Sequence, residues 1–197
     1  MTSTRKPSNS PSIKQFKNQR DWATWLHKNH ASSDGVLLRI ARTSSDIASV
    51  SYAEALEVAL CYGWIDGQKR GYDTATWLQR FTPRGQRSIW SKINREKAEE
   101  LIRNGQMKPA GLEAVQRARK NGRWGAAYDS PRQSGVPADL QTALDKNEKA
   151  KAFFATLNSQ NRYAILYRIQ TAKKAETRAK RIEQFTRMLA KREKIYP

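Results

Sequence analysis

Every strand-forming signal in this chain lies between Val36 and Thr82, and everything after that reads as helix or turn. That asymmetry constrains the fold more than any other feature. Val36-Leu37-Leu38-Arg39-Ile40 is short and rich in strand formers, and it follows the turn Ser32-Ser33-Asp34-Gly35. Trp64–Arg70 and Thr76–Thr82 are also strand-like, with Gly71-Tyr72-Asp73 between them as a turn. The expectation is a hairpin joined by the 36–41 strand into a small antiparallel sheet of about three strands.

Helical signals surround that sheet. Asp21-Trp22-Ala23-Thr24-Trp25-Leu26 opens an amphipathic helix. Ser51-Tyr52-Ala53-Glu54 has the spacing of a capping box, which predicts a helix over 52–62 with Gly63 just past its end. Asn94 is the expected N-cap of a helix over 95–103, and Pro109 starts another over 109–120. From Ala138 onward the apolar clusters are all at helical spacing, and a last helix over about 174–192 places Ile182, Phe185 and Leu189 on one face. The fold class is therefore α+β: a small sheet packed with helices, then an all-helical C-terminal segment. The expected organisation is a tail over 1–12, an α+β domain over 13–130, a Gly/Ser/Pro-rich linker over 131–137 and the helical segment over 138–197.

Composition narrows the chemistry. Apolar residues are 38% and charged residues 28%, enough for a folded core. There is one cysteine, Cys61, so no internal disulfide and no CxxC zinc cluster is available. The two histidines, His27 and His30, lie near one helix end, which reads as a solvated terminus and not a metal site. No cofactor motif of the Walker A or GxGxxG kind is present, and no cofactor is expected. No apolar run reaches the roughly 20 residues a membrane span needs, and the first ten residues have no secretory h-region. The expectation is a cytoplasmic protein without membrane insertion. Formal charge is +19, a field that attracts polyanions.

Three stretches carry a family resemblance. The first is Ser51-Tyr52-Ala53-Glu54-Ala55 running into Leu60-Cys61-Tyr62-Gly63-Trp64-Ile65-Asp66-Gly67-Gln68. The second is Arg80-Phe81-Thr82-Pro83-Arg84 with Ser88-Ile89-Trp90-Ser91-Lys92-Ile93-Asn94, and Gly105-Gln106-Met107 and Pro109-Ala110-Gly111-Leu112 downstream. The third is Asn161-Arg162 with Ala172-Lys173-Lys174-Ala175-Glu176-Thr177-Arg178-Ala179-Lys180-Arg181-Ile182. In this order they resemble the YdeI/OmpD-associated (OmdA-like, bacteriocin-protection) family. The resemblance implies a bacterial-type cytoplasmic protein linked to stress tolerance or protection from antimicrobial agents, and it transfers no catalytic residue.

Two places in these stretches have the chemistry of a site. In Gly63-Trp64-Ile65-Asp66-Gly67, a carboxylate beside an indole is a candidate acid or base, and Gly67 permits close approach. Alternation sets Trp64, Asp66 and Gln68 on one face. If residue 66 pairs with 80, Asp66 meets Arg80; a one-residue slip gives it Gln79 or Phe81. The plainer reading is an Asp–Arg brace. The loop after the hairpin gathers Arg84, Arg87, Ser88, Trp90, Ser91 and Asn94 near a helix start, which is the chemistry of an anion site. Its plainer reading is capping and core packing.

The C-terminal helix adds Lys173, Lys174, Arg178 and Arg181, in a segment (171–197) with nine basic and three acidic residues. Such a stripe tracks phosphates or is simply solvated. Cys61, at a helix C-terminus, is disfavoured as a thiolate. Three functions stay open at this level. One is binding of a small anionic or aromatic molecule through Trp64, Asp66, Gln68, Arg80, Arg84, Arg87, Ser88, Trp90, Ser91 and Asn94. The others are hydrolase-like detoxification with Asp66 as general acid or base, and nucleic-acid binding by the basic helix.

Overall fold

A computed structural model of the chain describes residues 11–128 and 135–197. The expected tail falls outside them for residues 1–10, and the expected linker for 131–134. Two compact units form: one from residues up to Ile89 with Asn94–Ala126, the other from Trp90–Ile93 with Ala127–Pro197.

In the first unit, β1 (Ile13–Lys14), β2 (Val36–Ala41), β3 (Trp64–Gly71) and β4 (Thr76–Pro83) make one sheet in the order β1-β2-β4-β3. The α+β expectation holds, with the hairpin at β3–β4 and β2 antiparallel to β4. The added strand is the two-residue β1, which pairs parallel with β2. Alternation decides the buried face: Val36, Leu38 and Ile40 point inward, Leu37 and Arg39 do not. Asp73 fixes the hairpin turn by accepting from the N–H groups of Ala75 and Thr76 and from the Thr76 hydroxyl, and it pairs with Arg39 at 2.8 Å.

Two helices cover this sheet. The first, α1 (Gln19–Asn29), is capped by Asn18, whose side chain accepts from the Asp21 N–H. The second, α2 (Tyr52–Cys61), has the full capping box: the Glu54 N–H donates to Ser51 Oγ, and the Ser51 N–H donates to a Glu54 carboxylate oxygen at 2.8 Å. Trp22, Trp64 and Phe81 meet between helices and sheet, with Trp22 and Trp25 stacked at 5.4 Å. Burying indoles obliges each N–H to find an acceptor. Trp22 donates to Ala55 O at 3.0 Å, and Trp64 to His30 O at 3.1 Å.

Then come α3 (Lys92–Arg103) and α4 (Pro109–Lys120). Because α3 begins at Lys92, Asn94 lies inside its first turn and is not the expected N-cap. Gly63 turns the chain out of α2 at φ +70°, and a Cβ there would stand 2.6 Å from Ala110 O. Gly111, inside α4, sits so close to Cys61 O and the Met107 sulfur that a Cβ has no room.

In the second unit, α5 (Ala138–Asp145), α6 (Glu148–Ala155), α7 (Ser159–Gln170) and α8 (Ala175–Ala190) enclose Leu140, Leu144, Phe154, Ile165, Leu166, Ile169, Ile182, Phe185 and Leu189. Asn147 and Asn158 cap α6 and α7 through their side chains. Tyr128 is tied to the Trp90–Ile93 segment: its N–H donates to Trp90 O and its carbonyl accepts from the Lys92 N–H at 2.8 Å.

Candidate functional site

The hairpin register settles where Asp66 goes. Asp66 stands opposite Phe81, and Lys69 stands opposite Gln79, with a β-bulge between. Gly67 and Gln68 together face Arg80, and the buried Gln79 side chain donates to Gly67 O at 2.8 Å to hold that shape. Directly opposed residues share a face. Asp66 therefore lies on the Phe81 face and Arg80 on the other, where its aliphatic stem covers Gly67. Of the alternative registers, the one that sets Asp66 against Phe81 is adopted, and an Asp66–Arg80 pairing does not form.

Asp66 instead accepts a hydrogen bond from the Tyr52 hydroxyl at 2.9 Å. Tyr52 lies 6.0 Å from Trp77 ring to ring, and the Lys69 ammonium rests 4.1 Å from the Trp77 ring centre. Tyr52, Lys69, Trp77 and Gln79 had no functional role in the sequence reading of this region. A known register would have found all but Tyr52.

The other hairpin and loop residues disperse. Trp64 is 1% exposed and belongs to the core. Gln68 and Arg80 are exposed. Arg84, 5% exposed, is a strut: its N–H donates to Gly63 O at 2.9 Å and its guanidinium to Ile89 O at 3.2 Å. Arg87 is exposed, and Ser88 and Asn94 are half-buried. Trp90 and Ser91 fall in the other unit, Trp90 buried and Ser91 bridged to Tyr128.

The third stretch of the sequence resolves into fasteners. Arg178 grips Asp139 with two hydrogen bonds, at 2.5 and 2.9 Å, and donates a third to Ile169 O at 3.0 Å. Arg181 donates to Arg168 O. Both carbonyls lie in the last turn of α7, where helix carbonyls lack intrahelical partners and the dipole end is negative. The two guanidiniums thus cap α7 from α8. The Arg178 hydrogen bonds hold the Asp139 carboxyl below its ordinary range.

Asn161 is 1% exposed and clasps the C-terminal strap. Its side-chain oxygen accepts from the Ile195 and Tyr196 N–H groups at 3.0 and 2.9 Å, and its amide donates to Tyr196 O at 3.2 Å. Arg162 lies 4.5 Å over the Phe154 ring. Lys173 and Lys174 are exposed, whereas Arg178 and Arg181 are half-buried.

What the fasteners position is an aromatic cleft of about 500 Å3, lined by Ser159, Gln160, Tyr163, Ala164, Tyr167, Arg168 and Tyr196. Ser159, Tyr163 and Tyr167 recur every four residues along one face of α7. Tyr196 reaches the cleft because Asn161 holds its backbone. Tyr163 and Tyr167 stand 5.7 Å apart, and Tyr128 meets Tyr167 edge-on at 5.0 Å. Burial pushes the Tyr167 hydroxyl above its ordinary range, so it stays a neutral donor and acceptor. Arg168 donates to Ala164 O at 3.0 Å and brings its guanidinium to 6.0 Å from the Tyr196 ring. The Tyr163/Tyr167 spacing was the sequence signal for this cleft, and it was masked by the apolar Ile165 and Leu166 between them and Ile169 beyond.

Among the described residues no group of three or more His, Cys, Asp or Glu is placed to hold a metal ion, and no helix is long and apolar enough to cross a membrane. No curated protein and no solved structure matches the chain. Two family models do. One, described as Domain of unknown function (DUF8412), matches residues 14–114, and so contains the first two stretches set out above. The other, described as Bacteriocin-protection, YdeI or OmpD-Associated, matches residues 134–192, and contains the third. The chain belongs to the DUF8412 family through its sheet-bearing part and carries behind it a helical segment of the YdeI/OmpD-associated, bacteriocin-protection type.

Proposed function

We propose that this YdeI-type protein contributes to tolerance of antimicrobial compounds inside the cell by binding a small planar aromatic anion in the tyrosine cleft. The observation that carries this reading is the convergence of Tyr163, Tyr167 and Tyr196 with Arg168 on one cleft of about 500 Å3. Small-molecule pockets fall at roughly 300–1,000 Å3, mostly apolar walls with a few polar groups that orient the guest. Here the rings supply stacking surface, and the guanidinium supplies a charged donor for a carboxylate or sulfonate.

This reading moves the ligand away from Asp66, which has no arginine partner on its face. Two guanidiniums of the basic helix are also engaged within the fold, Arg178 with Asp139 and a backbone carbonyl and Arg181 with a backbone carbonyl, while Lys173 and Lys174 stay exposed.

Calorimetric titration with 2-naphthoate tests it. Tyr167→Ala is expected to weaken binding about fivefold, in line with about 1 kcal/mol per aromatic pair. Arg168→Gln is expected to weaken 2-naphthoate by a similar factor and leave neutral 2-naphthalenemethanol unchanged. Binding that neither substitution alters would overturn the proposal.

A further inference from the structure

A second cleft, of about 440 Å3, opens within the sheet-bearing unit, where α1, α2 and the turn between α3 and α4 converge. Its floor is largely apolar: Ala23, Val58, Cys61 and Leu101. Its rim carries Arg20 from α1 and Lys108 from the start of α4. One lining residue is acidic, Glu57, and its carboxylate is taken by Lys97 at 3.0 Å. Among the described residues no carboxylate lies within ion-pair distance of Arg20 or Lys108.

Lys108 is held in place from behind. Its backbone N–H donates to Cys61 O at 3.1 Å, and Pro109 follows at the first position of α4. The cleft thus offers two unpaired cations above an apolar floor, with its single carboxylate already neutralised. In a chain of net charge +19 the surrounding field adds to the attraction for an anion.

We infer that this cleft binds a small phosphate monoester, its dianionic head between Arg20 and Lys108 and its organic group over Val58, Cys61 and Leu101. A dianion matches two cations, and a guanidinium beside an ammonium is a common phosphate-recognising pair. The site is separate from the tyrosine cleft, which belongs to the other unit.

Cys61 gives the cleft its own reporter. It is the one cysteine of the chain, it lines the floor, and it is 7% exposed. Burial pushes its thiol up to about 11, Glu57 adding to the rise and Lys108 opposing it, so alkylation at pH 8.5 is slow and measurable. The experiment follows Cys61 alkylation by iodoacetamide with and without 5 mM phenyl phosphate. The expected result is a rate at least threefold lower with phenyl phosphate and unchanged with phenol. The double substitution Arg20→Gln, Lys108→Gln is expected to abolish the protection. Both side chains are exposed, so the fold tolerates their loss. Equal rates with and without phenyl phosphate overturn the inference. So does protection that survives in the double variant, which would mean binding elsewhere or a general stabilisation of the fold.

Discussion

In the sheet-bearing unit the indoles of Trp22 and Trp64 are enclosed, and polar groups mostly serve them: Ala55 O and His30 O exist there as acceptors for indole N–H groups. In the helical unit the relation is reversed. Its helices α5–α8 contain no tryptophan, two of them are eight residues long, and the buried Asn161 and the half-buried Arg178 and Arg181 bind backbone. The cause is size. A unit built from short helices buries a small fraction of its surface, so orphaned carbonyls and a loose strap weigh more in its stability. The lesson concerns motifs. The polar residues of the third stretch look like an interface from sequence, yet two of its arginines and its asparagine fasten the fold, and the surface they organise is made of tyrosines.

That contrast breaks if the sheet-bearing unit tolerates added volume. Gly111→Ala drives a Cβ into Cys61 O and the Met107 sulfur, and neither helix end can yield without opening the α2–α4 contact. A loss of about 3 kcal/mol is expected, the upper range for overpacking. Urea denaturation followed by tryptophan fluorescence measures it. A loss below about 1 kcal/mol would mean that this unit is not packed as tightly as the glycine contact implies.

The helical unit is expected to show its dependence on polar clasps through pH. Arg178 holds the Asp139 carboxyl below its ordinary range, so the folded pKa is lower than the unfolded one near 4. The stabilisation is present in full above that unfolded value and is lost as pH falls through the folded value. The pair is partly exposed, which limits it to about 1 kcal/mol. Thermal unfolding between pH 6 and pH 2, read by far-ultraviolet circular dichroism, is expected to show an acid-dependent drop that Arg178→Met reduces. An identical drop in the variant would assign the acid sensitivity to other carboxylates, such as Asp145 with Lys151.

Much of the fold was legible because it is local. The Ser51–Glu54 box, the hairpin around Asp73 and the α4 start at Pro109 each depend on residues within one turn of each other. What was not legible is what the chain brings together from far away. The face occupied by Asp66 depends on a bulge at Gly67–Gln68, and one residue of slip inverts a strand's faces. The roles of Arg178 and Arg181 depend on backbone carbonyls, which side-chain patterning does not display. The tyrosine cleft requires Tyr196, held by Asn161 from 35 positions away.

Asp66 supplies the smallest expected effect and the sharpest division between the two units. Its carboxylate accepts from the Tyr52 hydroxyl, and an asparagine oxygen accepts in the same way. Asp66→Asn is therefore expected to change stability by no more than about 0.5 kcal/mol, the range for a half-exposed substitution that keeps its hydrogen bond. Since Asp66 lies in the sheet-bearing unit, 2-naphthoate binding to the tyrosine cleft is expected to be unchanged. Calorimetric titration and a urea curve on the same variant measure both. If the variant folds and binds as the parent does yet no longer protects cells from an antimicrobial challenge, the charge of Asp66 acts in its own right. The hydrolase-like reading with Asp66 as acid or base then gains over ligand binding in the helical unit. If protection is unchanged, Asp66 is a polar prop for Tyr52, and the division of labour between the two units stands.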